Sequence, residues 1–144
     1  MEYRQACPSD FEEVKKILES NDLPAIDCEE HFHNFVVAEI DKTIVGIGGF
    51  ENCGNTALLR SFAVVSDYRD QGVAGKIFDL VKANAKNSDI TRLYLLTTTA
   101  NEYFERLGFS ICDRKAVPDS IRATKQFNVL CPATADVMTL ELNR

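Results

Sequence analysis

The sequence predicts a mixed α/β fold on a mainly antiparallel sheet. Three observations predict it. Short runs rich in β-branched and aromatic residues are interleaved with longer segments whose apolar residues recur at helical spacing. Three strand-like runs between residues 34 and 65 follow one another across tight turns, as in an antiparallel meander. Beyond residue 66 helix-like and strand-like segments alternate. At 144 residues the chain has the size of one domain, and a single domain over 1–144 is expected.

The elements follow in order. Residues 2–6 read as a short strand. Pro8-Ser9-Asp10 opens a helix, with Glu12 and Glu13 in its first turn and Phe11, Val14, Ile17 and Leu18 on one face. Asn21-Asp22-Leu23-Pro24 ends it, and a short helix is expected over 27–33. Asn34 to Ile40 is a strand, Asp41-Lys42 a tight turn, and Thr43 to Glu51 a strand containing Gly46, Gly48 and Gly49. Glycine inside a strand marks a bulge or a close backbone approach. After the turn Asn52 to Asn55, Thr56 to Val65 is the fourth strand. Val73, Ile77, Leu80 and Val81 mark a helix over 72–86, and Thr91 to Thr98 is the fifth strand. Ala100 to Leu107 is a helix closed by Gly108. A strand begins at Phe109, a helix is expected from Pro118 to Phe127, and the last strand alternates Met138, Leu140 and Leu142 with Val137, Thr139 and Glu141.

Composition narrows the function. A net charge of −6 argues against nucleic acid as the main partner, because phosphate neutralisation needs clustered Lys and Arg. It leaves room for a local anion site. The longest apolar runs fall far short of the roughly 20 residues a membrane helix needs, and the N-terminus lacks the basic-then-apolar pattern of a signal peptide. Five cysteines, Cys7, Cys28, Cys53, Cys112 and Cys131, form no C-x-x-C pair. They read as reduced thiols in a cytoplasmic protein. Cys28, Glu29, His31 and His33 fit no common metal spacing, so no metal is expected.

The segment that carries chemistry is Leu58 to Lys76. A strand ends near Val65, a turn follows, and a helix opens at Gly72. A helix N-terminus offers unpaired N–H groups and the positive end of the dipole, which suit phosphate. Gly72, Ala74 and Gly75 leave room for an anion to reach the backbone, and Arg69 and Lys76 add charge at the mouth. The segment is neither a Walker loop nor a G-x-G-x-x-G fingerprint.

Arg69, Gly72 and Ala74 fill the pattern Q/R-x-x-G-x-G/A of the GNAT N-acetyltransferases, and Tyr103 to Phe109 (YFERLGF) is similar to that family's FYEKLGF segment. With the order of strands and helices, the chain resembles the GNAT family over almost its whole length. The resemblance implies a sheet with a V-shaped splay between the fourth and fifth strands, flanked by helices, and acetyl-CoA as donor. It implies that Phe62, Ala63 and Val64 pair with the pantetheine arm. The N–H groups over Gln71, Gly72, Val73, Ala74, Gly75 and Lys76, with Arg69 and Asp70 beside them, would hold the pyrophosphate, and Asn101 and Phe104 would flank the arm. Dimers are common among such folds. Leu58 to Ser61, Leu93 to Ala100, Ile121 to Thr124 and Leu130 to Ala133 also resemble the GNAT subgroup encoded in arsenic-resistance operons, which implies arsenic genetics without a defined reaction.

Acetyl transfer to a small-molecule amine needs a base for the ammonium proton and a donor for the acyl oxygen. Glu51, at the end of the strand beside the motif strand, is the candidate base; the plainer reading is a solvated carboxylate. A backbone N–H of Ala63 or Val64 is the candidate donor. Many family members carry an acidic tyrosine where this chain has Phe104; Tyr103 is the neighbouring candidate acid. Arg60 and Ser61 alternate across the strand, so only one is expected to face an acceptor, and Arg60 suits a carboxylate or oxyanion. Thr97, Thr98 and Thr99 offer hydroxyls, and Arg122 lies on a late helix that could close over the acceptor. Cys131 is read against two possibilities, a buried inert thiol and a soft-metalloid ligand. The rival readings are a non-catalytic acyl-CoA or ligand-binding module and a thiol-based arsenite-binding protein.

Overall fold

The computed structural model describes residues 1–21, 23, 25, 28–98, 100–124, 127 and 135–142. Expectations placed on Asp22, Pro24, Asp27, Thr99, 125–126 and 128–134, Cys131 among them, lie outside the described residues. The strands are β1 Glu2–Gln5, β2 Phe35–Ile40, β3 Thr43–Asn52, β4 Thr56–Val64, β5 Arg92–Thr97, β6 Ser110–Cys112 and β7 Asp136–Glu141. The helices are α1 Phe11–Ser20, α2 Val73–Asn87, α3 Asn101–Arg106 and α4 Asp119–Arg122. Strand order is β1-β2-β3-β4-β5-β7-β6 in one seven-stranded sheet. The β4–β5 pair is parallel, with Thr56 to Leu58 opposite Arg92 to Tyr94, whereas β1–β2, β2–β3, β5–β7 and β6–β7 are antiparallel. The mixed, mainly antiparallel α/β fold is the expected one.

The chain forms two compact units, 1–51 with 60–85, and 52–59 with 86–144. In the first, Val14, Ile17 and Leu18 of α1 pack with Phe35, Val37, Ile44 and Ile47 on one face of β2 and β3. The other face of β3 takes α2. A Cβ on Gly46 would sit 3.0 Å from Ile77, and one on Gly48 would sit 2.8 Å from Ile77 and 2.7 Å from the Phe62 ring. Gly46 and Gly48, two residues apart, share that face, so their missing side chains let α2 lie directly on the strand. Gly49 points the other way, under the Phe35 ring. Burying these apolar residues is the main favourable term. An ion-pair network ties β1 to the start of α1: Arg4 grips Asp10 with both Nη atoms at 2.8 and 2.9 Å and reaches Glu39 at 3.0 Å.

In the second unit Leu58, Tyr94, Val117, Ile121 and Val137 form the core. α4 is shorter than the expected Pro118 to Phe127. Pro118 is its N-cap, and helical geometry ends after Arg122, where Thr124 turns its hydroxyl back to the Ile121 carbonyl at 2.7 Å. The expected helix over 27–33 is a 3₁₀ segment, Cys28–Asn34. No helix among the described residues is long and apolar enough to cross a membrane.

Candidate functional site

The turn after β4 is built by two left-handed residues. Val65 N–H pins the strand end to the Val45 carbonyl at 2.8 Å. A 3₁₀ turn over Ser66–Tyr68 follows, and Asp70 and Gly72 then take φ of 62° and 79°, which swings the chain into α2. Glycine adopts such an angle without the Cβ penalty other residues meet. The first helical hydrogen bond here runs from Lys76 N–H to the Gly72 carbonyl at 3.0 Å. The N–H groups of Val73, Ala74 and Gly75 precede it and therefore have no intrahelical acceptor. Space above this turn is open: a Cβ added at Gly72 or Gly75 would meet nothing within 4 Å. Asp70, Gln71, Gly72 and Lys76 are exposed, and Gln71 donates its amide to the Asp67 carbonyl at 3.1 Å. This is the geometry a diphosphate needs: open backbone donors, a helix N-terminus and no side chain in the way.

Arg69 departs from the expectation that it stands at the mouth. Its side chain runs back, with Nε donating to the Val64 carbonyl at 3.0 Å and Nη2 to Asn21 Oδ1 at 2.6 Å. It braces the end of β4 against the end of α1.

A second cluster lies in the same unit. Glu51 Oε1 is 3.3 Å from Arg60 Nη1 and 3.3 Å from His31 Nε2. The Arg60 side chain is 0% exposed and that of Glu51 13%, so Glu51 is a paired, mostly buried carboxylate rather than a solvated one. Arg60 also lies 6.0 Å from the centre of the Phe35 ring. The expected alternation of Arg60 and Ser61 across the strand fails: Arg60 Nε donates to Ser61 Oγ at 3.2 Å. The reason is backbone. Ser61 has φ of 62°, a left-handed residue inside a strand, and the pleat switches there. Arg60 thus lies over Phe35 on the α1 face while Phe62, two residues on, meets Gly48 on the α2 face. Ala63 returns to the α1-side core.

In the second unit, Asn101 Nδ2 donates to Asp136 Oδ2. Phe104 is buried, edge-on to Phe109 at 5.7 Å and to Tyr103 at 5.4 Å. Thr97 Oγ1 accepts from Ala100 N–H at 2.9 Å, holding the turn into α3, and Thr98 is exposed. Arg122 donates to the carbonyls of Val117 and Arg114, a brace for the 114–117 turn. The structure brings Glu51, Arg60 and Ser61 together; it leaves Arg122 in a separate local network.

Sequence reasoning considered His31 only as a metal ligand, set that role aside, and missed its place beside Glu51. No spacing signal links residues twenty apart on different elements. Among the described residues no group of three or more His, Cys, Asp or Glu side chains is arranged to hold a metal.

Comparison with known proteins adds the following. The model of the family described as acetyltransferase (GNAT) domain matches residues 31–111. The amino-acid acetyltransferase of Buchnera aphidicola is 33% identical over 91 residues, 60% of this chain and 20% of that protein; the chain spans about a fifth of the length of the curated relatives it matches. N-acetylglutamate synthase from Neisseria gonorrhoeae, solved with coenzyme A and N-acetyl-glutamate, superposes with a TM-score of 0.87 at 19% identity, over 99% of this chain and 35% of that one. Rv2747 from Mycobacterium tuberculosis, solved in complex with CoA, gives 0.83 at 21% identity over 99% and 100% of the two chains. At these identities the two structures establish a shared fold.

Proposed function

The chain belongs to the GNAT acetyltransferase domain family, and from that premise we propose that it transfers the acetyl group of acetyl-CoA to the amine of a small, amino-acid-like molecule. The observation that carries this is the open turn at Gly72 and Gly75, where no side chain fills the space over the first turn of α2. Support for the acceptor class comes from the names of the relatives, which are amino-acid acetyltransferases.

When bound, acetyl-CoA supplies an activated acetyl group. The turn from Gln71 to Lys76, through the N–H groups of Val73, Ala74 and Gly75 that have no intrahelical acceptor, would hold its diphosphate, while Phe62 to Val64 would pair with the pantetheine arm in the manner of an added strand. Asn101 and Phe104 would flank the arm. Ala63 or Val64 donates a backbone N–H to the acyl oxygen. Glu51 takes the proton released by the attacking amine, with Arg60 and His31 fixing the carboxylate. Water or Tyr103 protonates the departing thiolate. Arg60, Ser61, Thr97, Thr98 and Arg122 belong to the acceptor side of the proposal. We place the chain in the cytoplasm as one domain, able to pair as a homodimer. The arsenic-operon resemblance extends the reading to a resistance-linked acceptor.

The test is thiol release from acetyl-CoA across a panel of amino acids and other small amines, with the acetylated product identified by mass. Turnover with an amino acid supports the reading. A second reading, a non-catalytic acyl-CoA binder, is favoured by one observation: a buried phenylalanine, Phe104, stands where the family resemblance implies an acidic tyrosine. CoA binding without turnover across the panel selects it.

A further inference from the structure

Glu51 Oε1 is shared by two partners of different chemistry. Arg60 Nη1 lies 3.3 Å from it, and His31 Nε2 also lies 3.3 Å from it. A guanidinium stays protonated and has no acceptor atom, whereas an imidazole nitrogen takes up and gives back a proton near neutral pH. The three side chains also differ in depth: 0% of Arg60, 13% of Glu51 and 20% of His31 is exposed. The row runs from the interior towards solvent, and its outer member is the one able to carry a proton. Phe35 anchors both ends of the row. Arg60 lies 6.0 Å from the centre of that ring, and Phe32, the residue after His31 in the 3₁₀ segment Cys28–Asn34, packs on it at 5.5 Å. The chain's other histidine, His33, is exposed and meets Asn34 at 3.2 Å instead.

We infer that His31 is a positioning and relay residue that acts through Glu51: it takes the proton of the attacking amine on from the carboxylate and delivers it to water. The inference rests on Glu51 as the base of the proposed function, and it adds proton transfer to the fixing of the carboxylate. As the C–N bond forms and the C–S bond breaks, the nitrogen releases one proton to the Glu51 carboxylate. The carboxylic acid passes that proton to the Nε2 lone pair of neutral His31, and Glu51 returns to the carboxylate. The imidazolium then gives its Nδ1 proton to water, and exchange with water restores the starting tautomer. Free imidazole is a stronger base than a free carboxylate by about two pKa units, so the step out of the carboxylic acid runs downhill. Arg60 cannot take the proton inward, and its fixed charge holds the carboxylate in place throughout.

Steady-state thiol release by the full chain tests it, with acetyl-CoA and an equimolar mixture of the common amino acids other than cysteine as probes. The unaltered protein, His31→Gln and His31→Ala are compared in dilute buffer and with added imidazole. Glutamine keeps a hydrogen-bond donor for Glu51 but carries no proton, so it separates relay from positioning alone. His31→Gln should lower kcat about 10²-fold in dilute buffer, with KM for acetyl-CoA and the urea midpoint unchanged. Added imidazole should restore much of the loss in both variants and leave the unaltered rate where it was. If His31→Ala does not fold, the response of His31→Gln decides the matter. Full activity of His31→Gln in dilute buffer, or a loss that imidazole does not relieve, overturns the relay and leaves the acetyl-transfer reading standing. No turnover by the intact chain removes both.

Discussion

Arg60 Nη1 lies 3.3 Å from Glu51 Oε1, and the arginine side chain has no exposed surface. Removing the carboxylate takes an ion-pair partner from a guanidinium with no exposed surface, which costs more than the pair contributes. Glu51→Ala should therefore destabilise the protein by roughly 3 kcal/mol, read as a shift in urea midpoint. Glu51→Gln keeps an acceptor for Arg60 and should retain most of the fold. If Glu51 is the base, Glu51→Gln lowers kcat by about 10²- to 10⁴-fold with donor affinity unchanged.

Gly72 and Gly75 should respond oppositely to alanine. Gly72 has φ of 79°, where a Cβ costs on the order of 1–2 kcal/mol, although its surroundings are open. Gly75 sits within α2 with no contact awaiting a Cβ, so Gly75→Ala should gain about 0.5–1 kcal/mol. Thermal denaturation of the two variants at one pH decides this.

Two strand glycines should tolerate nothing larger. Gly48→Ala forces a Cβ to 2.7 Å from the Phe62 ring, and Gly49→Ala to 2.1 Å from Phe35. Overpacking of this kind costs about 1–3 kcal/mol, and Gly49→Ala, facing the ring of a fully buried phenylalanine, should be the worse. Denaturant midpoints of both variants, ranked against the unaltered chain, are the check.

The Arg4 guanidinium, through its hydrogen bonds, holds the Asp10 carboxyl below the usual carboxylate range. A depressed folded-state pKa gives stability that is complete above the unfolded value, about 4, and is lost as pH falls through the folded value. Asp10→Asn should thus cost about 1–3 kcal/mol at pH 7. The gap to the unaltered chain should close in acid, as measured by urea unfolding from pH 7 down to the lowest pH at which both fold.

The strand and helix order was legible because its signals are local: the Phe11, Val14, Ile17, Leu18 face of α1, the turn at Asn52 to Asn55, the glycines of β3. Even the glycine reading transferred, with Gly46 and Gly48 forming the floor under α2. What failed depends on tertiary contact or on unusual backbone. Serine gives no warning of a left-handed residue mid-strand, so the face switch at Ser61 was invisible, and with it the meeting of Arg60 and Ser61. The partnership of His31 with Glu51 and that of Arg69 with Asn21 join residues 20 and 48 apart, distances at which pattern reading has no purchase. The stop of α4 after Arg122, where the Thr124 hydroxyl turns back to the Ile121 carbonyl, is not marked in the residue pattern.

In the proposed function the open turn into α2 holds the diphosphate of acetyl-CoA. Calorimetric binding of acetyl-CoA to the intact chain and to Gly75→Glu tests it most directly. That substitution places a carboxylate in open space, at a helical position that an L residue adopts without strain. Micromolar binding to the intact chain that disappears in a folded Gly75→Glu variant is the predicted result. Undiminished binding in the variant, or none to the intact folded chain, would contradict it.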